Sequence, residues 1–141
     1  MEDKGIAIEA IDSAKRWLSS AEINANAGNY DTALYSLEMS AEIAFKGLLF
    51  SLGVEVPKTH SIGDFVAEAI RGNGRLRKKF EGDVDKMIST FNALMDLRPV
   101  SGYIFETKSS LKELKKKYEE YRNDTEKIVK ACGEVVNSVV K

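Results

Sequence analysis

Cysteine, proline and histidine are scarce in this chain of 141 residues, which holds one cysteine, two prolines and one histidine. The single cysteine, Cys132, excludes an intramolecular disulfide, and its core-type helical position indicates a buried thiol in a reducing compartment. Neither Cys132 nor the single histidine has a carboxylate pair beside it at a ligand spacing, so the sequence does not predict a metal site. We expect no cofactor either.

An excess of charge of one sign is also missing, because 21 basic side chains stand against 22 acidic ones and the net charge is −1. No overall field therefore draws the protein to nucleic acid or to an anionic membrane, and any nucleotide or RNA binding has to be local. No stretch reaches the roughly 18 consecutive apolar residues of a membrane span. The amino terminus lacks the apolar stretch of a secretory signal. We expect a cytoplasmic protein with no membrane association.

Apolar residues recur every three or four positions along most of the chain, and this spacing predicts an all-α fold. Few prolines and few runs of β-branched residues agree with that prediction. A chain of 141 residues is expected to form a single domain over residues 1–141. The predicted helices cover residues 6–27, 30–52, 62–71, 75–97 and 111–139. The short connection between the first two makes them antiparallel neighbours.

Polar residues at the predicted helix starts are candidates for capping. Asn29 or Asp31 is expected to cap the second helix, Ser61 the third and Ser110 the last, because their side chains can accept a hydrogen bond from a first-turn amide. Each of these positions therefore predicts a helix boundary.

The fourth predicted helix, over residues 75–97, contains Gly82 at a cost of about 1 kcal/mol relative to alanine. Pro99 disfavours helix at Arg98, so we expect the helix to stop there. Residues 98–107 are then predicted to form a loop with a cation and two exposed aromatic residues, the kind of segment that often carries function.

The second helix has two faces of different chemistry. An apolar face is expected to pack inward and contains Leu34, Leu37, Ala41, Phe45, Leu48 and Leu52. The other face carries Tyr35, Met39, Glu42 and Lys46. This second face remains after the first is buried, and it predicts contact with something else, such as another subunit.

Three short motifs follow one another in this part of the chain. They are Tyr30-Asp31-x-Ala33, then Met39-Ser40-Ala41-Glu42-x-Ala44-x-Lys46-x-x-Leu49, then Gly53 with Thr59-His60-Ser61-Ile62-x-x-Phe65. In this order the motifs resemble the first half of a HEPN domain, and the match covers roughly residues 5–66. The second half agrees with the family in helix order and length. The resemblance implies an up-and-down bundle of four or five helices, usually a homodimer with a cleft at its interface.

The resemblance also implies nucleotide binding or RNA cleavage, often beside a minimal nucleotidyltransferase in a toxin–antitoxin pair. Ribonucleases of the family carry an arginine, then four to six residues, then a histidine. A tyrosine that the nucleotidyltransferase modifies often follows two positions later. In this chain the matching positions hold Arg98, Tyr103 and Phe105.

The missing histidine changes the chemistry expected of this site. Metal-independent RNA cleavage needs a group that exchanges a proton near neutral pH, which an imidazole of pKa about 6.5 does well and a phenol of pKa about 10 does poorly. Arg98 can still bind a phosphate, and Tyr103 can stack on or hydrogen-bond a base. We predict a binding module without ribonuclease activity, with ligand contacts at Arg98, Tyr103, Glu42 and Lys46.

Two other hypotheses fit the same sequence. The first is a metal-independent ribonuclease toxin in which His60 or Tyr103 replaces the missing histidine. The second is a purely structural or partner-binding dimer, in which the motif of the second helix only builds the interface. At its position before the third helix, His60 is expected to order the turn or to contact the bundle.

Overall fold

The computed structural model describes residues 2–140, which form seven α-helices and one short 3-10 turn without a β-strand. Met1 and Lys141 lie outside the described residues. The helices are α1 (Glu2–Asn26), α2 (Tyr30–Ser51), α3 (Gly63–Arg71), α4 (Gly74–Lys79), α5 (Val84–Asp96), α6 (Arg98–Gly102) and α7 (Leu111–Val140), and the 3-10 turn is Ile104–Glu106. The predicted all-α fold is confirmed. None of these helices combines the length and hydropathy that a bilayer-spanning segment requires.

Helices α1 and α2 form the antiparallel pair that the sequence predicts. Near the end of α1, Ser20 hydrogen-bonds Ser36 in the first half of α2 at 3.2 Å. At the opposite end, Gly47 lies against Ala10 and Ile11 of α1, and a Cβ added to Gly47 would lie 3.1 Å from the Cβ of Ala10. The close approach of the two helices therefore depends on glycine at position 47. Helix α7 packs on both of them.

Two buried clusters fill the bundle along its length. The larger joins the first half of α1 and the second half of α2 to α3, α4, α5 and the second half of α7. In it, Phe45 and Phe91 pack edge to face with ring centroids 5.5 Å apart, and burying a side chain of this size contributes roughly 1.5–3 kcal/mol. The smaller cluster joins the end of α1 and the start of α2 to Leu94 and the first turns of α7.

Most of the predicted apolar positions are buried, but Phe65 and Leu111 are exposed. The buried positions of α3 repeat from Ile62 through Val66 to Ile70, and Phe65 points away from that stripe because successive helical residues are turned by about 100°. Leu111 is the first residue of α7 and precedes Leu114, the first buried residue of that helix. Helical spacing alone would place both side chains in the core, and the structure instead places them at the surface.

The predicted helix caps are correct only for α7. The backbone N–H of Glu113 donates to the Oγ of Ser110 at 3.2 Å, as the sequence predicts. Asn29 precedes α2 but makes no capping hydrogen bond with its side chain, and Asp31 lies inside the first turn. The residue before α3 is Ile62 and not Ser61. Ile62 is fully buried and has no polar side-chain atom that could cap α3.

The single helix predicted over residues 75–97 is wrong, since the structure divides it into α4 and α5. Gly82 adopts a φ of +82°, in the left-handed region that a helix interior does not use and that glycine adopts without steric strain. The buried ring of Phe80 anchors the turn between the two helices. Gly82 is therefore a turn residue and not a tolerated helix residue.

The loop predicted over residues 98–107 is also wrong, because this segment forms α6 and the 3-10 turn. Pro99 occupies the first turn of α6, where its missing N–H removes no helical hydrogen bond and its fixed φ suits the helix. The proline that ends one helix thus starts the next. As a result Arg98 stands at the beginning of a short helix that packs on α2.

Candidate functional site

A groove of about 670 Å³ lies between the start of α2 and the short helix α6. It is lined by Asp31, Thr32 and Tyr35 from α2 and by Arg98, Pro99, Ser101, Gly102 and Tyr103 from α6 and its end. The groove brings together two of the four residues that the sequence predicts as ligand contacts, Arg98 and Tyr103. Helix α6 begins at Arg98 and ends just before Tyr103, so this short helix positions both side chains.

Arg98 is held against α2 by two carboxylates and an aromatic ring. Its Nη1 lies 2.5 Å from Oε1 of Glu38 and 3.7 Å from Oε1 of Glu42. Its guanidinium carbon lies 5.0 Å from the centroid of the Tyr35 ring, within the range of a cation–π contact. The Arg98 side chain keeps 23% of its surface exposed while it lines the groove. The guanidinium is therefore fixed in position and still accessible.

Glu42 joins three parts of the chain. Its carboxylate accepts a hydrogen bond from Nζ of Lys46 at 3.1 Å, and Nδ1 of His60 lies 2.9 Å from each of its oxygens. His60 therefore contacts the bundle, as expected from its position before α3. Glu42 and Lys46 do not line the groove, and Glu42 approaches it through its contact with Arg98.

Glu38 is the residue of this cluster that the sequence reasoning missed. Its side chain is fully buried, and its Oε2 has no hydrogen-bond partner among the described residues. The pKa of Glu38 is raised to about 8, first by burial and then by a hydrogen bond with Glu42 and repulsion from it, which together outweigh the lowering by Arg98. A signal was present, because Glu38 lies one helical turn before Glu42 and joins the same polar face of α2.

Aromatic side chains build the rest of the site. Trp17 of α1 stacks on Tyr35 with ring centroids 6.3 Å apart and planes inclined by 18°, so Tyr35 is held by Trp17 as well as by Arg98. Tyr103 is 58% exposed and lies beside Phe105, which is 78% exposed, with ring centroids 6.1 Å apart. Tyr103 is therefore the accessible aromatic ring of the groove.

Glu38, Glu42 and His60 place potential metal-ligand atoms within 4.8 Å of one another. Carboxylate oxygens and imidazole nitrogens are ligands that Zn²⁺ accepts. Arg98 is already paired with Glu38, and Lys46 with Glu42. A divalent cation would meet two positive side chains bound to its own ligands, an arrangement that Coulomb repulsion opposes. We therefore assign the three residues to an ion-pair network and not to a metal centre.

A family model described as HEPN domain matches residues 8–141 of the chain. No curated protein matches the sequence. The match extends well beyond the segment of α2 and α3 that carries the motifs, and it includes α6 with Arg98 and Tyr103.

Proposed function

The chain belongs to the HEPN domain family, and because HEPN domains are nucleotide- and RNA-related modules, we propose that this member binds a nucleotide or RNA without cleaving it. The binding site is the groove between α2 and α6. The observation that carries the proposal is the position of Arg98, which lines this groove beside the exposed ring of Tyr103.

The guanidinium of Arg98 has donors to spare for a phosphate. Nη1 is committed to Glu38 at 2.5 Å, whereas Nη2 has a contact of only 3.5 Å with the hydroxyl of Tyr35. Arginine carries five N–H donors in a planar fork that suits phosphate oxygens. Stacking of a base on the ring of Tyr103 adds roughly 1–3 kcal/mol. One cation and one accessible ring fit a short ligand better than a long polyanion, whose binding needs many phosphate contacts.

The residues that line the groove also support binding without cleavage. The groove is lined by the phenols of Tyr35 and Tyr103, and the only histidine of the chain is His60, which pairs with Glu42 outside the lining. An ordinary phenol has a pKa of about 10 and makes a poor general acid or base near neutral pH.

Calorimetry with AMP, GMP and a short RNA tests the proposal. We expect the wild-type protein to bind at least one of them and Arg98→Ala to lose the binding. The control Arg122→Ala, on the exposed surface of α7, should bind like wild type. No binding by the wild type, or equal binding by Arg98→Ala, would refute the proposed site. Arg98→Lys provides a variant with the charge but without the planar fork, in case Arg98→Ala fails to fold.

A second candidate function is RNA cleavage with His60 in place of the missing histidine. It is favoured by the position of Glu42, which lies 2.9 Å from Nδ1 of His60 and 3.7 Å from Nη1 of Arg98. A carboxylate on one imidazole nitrogen orients the ring. The His60 side chain is 56% exposed. RNA cleavage by the wild type that is lost in His60→Ala and kept in Tyr103→Phe would establish this function and exclude the first.

We propose that the protein is a homodimer whose interface includes Phe105, the exposed aromatic residue of the 3-10 turn after α6. The alternative interface on α2 is less suitable, because Glu42 is buried and Tyr35 is half-covered by Arg98 and Trp17. Light scattering should give the mass of a dimer for the wild type and a monomer for Phe105→Ser. Ile23→Ser, at an exposed apolar position of α1, is the control. A dimer that binds no nucleotide or RNA would support a purely structural role.

We also propose that a minimal nucleotidyltransferase is the partner of this protein in a toxin–antitoxin pair, because HEPN domains often occur beside such an enzyme. Phe105 has no hydroxyl group to accept a nucleotidyl group, so this partner would act by binding or through Tyr103. Co-expression and co-purification of the two proteins would test the association. Separate elution of both proteins would contradict it.

A further inference from the structure

Two carboxylates in the middle of α2 compete for one guanidinium. Glu38 and Glu42 are both buried, and their oxygens lie within 4.8 Å of each other in one cluster. Nη1 of Arg98 approaches Glu38 to 2.5 Å and Glu42 to 3.7 Å. Two carboxyl groups so close together in a buried site do not both ionise readily, because each charge raises the cost of the other.

We propose that Glu38 and Glu42 hold one proton between them and that this proton decides how strongly Arg98 binds an anion in the groove. With the proton in place, the remaining carboxylate charge is bound by Lys46 and His60 as well, and the charge of Arg98 is available to a ligand. Loss of the proton leaves an ionised Glu38 against the guanidinium, in direct competition with the ligand. Glu38 is thus a positioning residue for Arg98. The inference rests on the proposed function, because the anion is the phosphate of the nucleotide or RNA.

The environment of Glu38 agrees with a retained proton. Its side chain is fully buried, and Oε2 has no partner among the described residues, so it is free to take part in a hydrogen bond with Glu42. Burial and Glu42 raise the pKa of Glu38 to about 8. Glu38 is then mostly protonated at neutral pH and mostly ionised at pH 9.

The other ionisable groups around the pair are few. They are Arg98 from α6, His60 from the segment before α3, and Tyr35 and Lys46 from α2. Within the part of the chain that the structure describes, no side chain of α1, α5 or α7 forms an ion pair with either carboxylate.

The first test measures binding of the dinucleotide ApA between pH 7 and pH 9, where its phosphodiester keeps one charge. For a group with a pKa of about 8, the protonated fraction falls about tenfold over this range, and the affinity of the wild type should fall by about the same factor. Glu38→Gln replaces the protonated carboxyl by a neutral amide and should bind equally well at both pH values. Glu120→Gln makes the same change on an exposed carboxylate of α7 and should keep the wild-type slope.

The second test follows the carboxyl carbon of Glu38 by NMR in the ligand-free protein, with Glu38→Gln to assign the signal. A midpoint near pH 8 supports the shared proton, and a midpoint near the ordinary value of 4.5 overturns it. A purely structural Glu38 would make Glu38→Gln weaker at every pH with an unchanged slope, which also overturns the inference. If the wild type binds none of ApA, AMP, GMP and the short RNA, the proposed function and the control of anion affinity both fail. If it binds AMP, GMP or the short RNA but no ApA at any pH, the proposed function stands and this inference is overturned. Binding without a pH slope overturns this inference alone.

Discussion

Nη1 of Arg98 lies 2.5 Å from Oε1 of Glu38, although 60 positions separate the two residues in the chain. The contact joins the start of α6 to the buried polar face of α2. Arg98 also lines the groove, so the guanidinium group that holds α6 against α2 is the group proposed to bind a ligand. Stability and binding are therefore linked through this ion pair.

The free energy of unfolding should fall as the pH rises from about 4.5 to about 8. The pKa of Glu38 is raised from its ordinary 4.5 to about 8 in the folded protein, so in this window the folded state keeps a proton that the unfolded state has lost. The stabilisation that comes from this proton is complete below about pH 4.5. It decreases by up to about 1.4 kcal/mol per pH unit until it is lost near pH 8. Urea unfolding of the wild type and Glu38→Gln at several pH values measures how the free energy of unfolding depends on pH. Parallel curves for the two proteins would contradict the prediction.

Removing Arg98 should destabilise the protein more than removing both partners of the pair. Arg98→Leu leaves the buried carboxyl group of Glu38 without the hydrogen bond from the guanidinium, at a cost of about 1–3 kcal/mol. The double variant Arg98→Leu with Glu38→Leu should recover part of this loss, because no buried carboxyl group remains. Chemical denaturation of both single variants and the double variant gives the coupling energy. Strictly additive effects would show that the contact contributes nothing to stability.

Two glycines with open surroundings should respond to alanine in opposite directions. A Cβ at Gly82 or at Gly5 would meet no atom within 4 Å, but Gly82 has a φ of +82° and Gly5 lies within α1. Gly82→Ala should cost about 1–2 kcal/mol of stability through backbone strain. Gly5→Ala should stabilise the protein by about 0.5–1 kcal/mol. Thermal unfolding distinguishes them, and a stabilising Gly82→Ala would contradict the turn at that position.

The thiol of Cys132 should be inert in the folded protein. Burial raises its pKa well above the ordinary range, so the reactive thiolate is not formed near neutral pH. An Ellman's reagent assay should detect no reaction in the native protein and full reaction in guanidinium chloride. Rapid reaction in native buffer would mean that the end of α7 opens locally.

Much of the fold was predictable because periodic apolar residues bury themselves wherever long helices pack together. The stripes of α1, α2 and α7 are local patterns, and nearly all of their members are buried as predicted. The errors lie where short elements depend on packing. Gly82 could be read as a tolerated helix residue or as a turn residue, and only the buried position of Phe80 beside it decides for the turn.

The candidate site was predictable to the extent that family motifs point to single residues. The motif pattern named Arg98, Tyr103, Glu42 and Lys46, but Arg98 and Tyr103 line the groove and the other two do not. Glu38 was missed because a glutamate on a helix is normally solvated, and its burial follows only when α6 packs over it. No pattern in α2 alone reveals that packing.

The sequence by itself determined the all-α fold, the antiparallel pair α1 and α2, and the tyrosine at the motif position where ribonucleases of the family carry histidine, because all three follow from residue type and spacing along the chain. The tertiary structure alone decided that Arg98 begins a helix, that it lies between Glu38 and Glu42, and that Glu42 also binds His60. Those contacts join residues from separate helices and loops. Their energies depend on burial and on distances between charges, which no local spacing specifies.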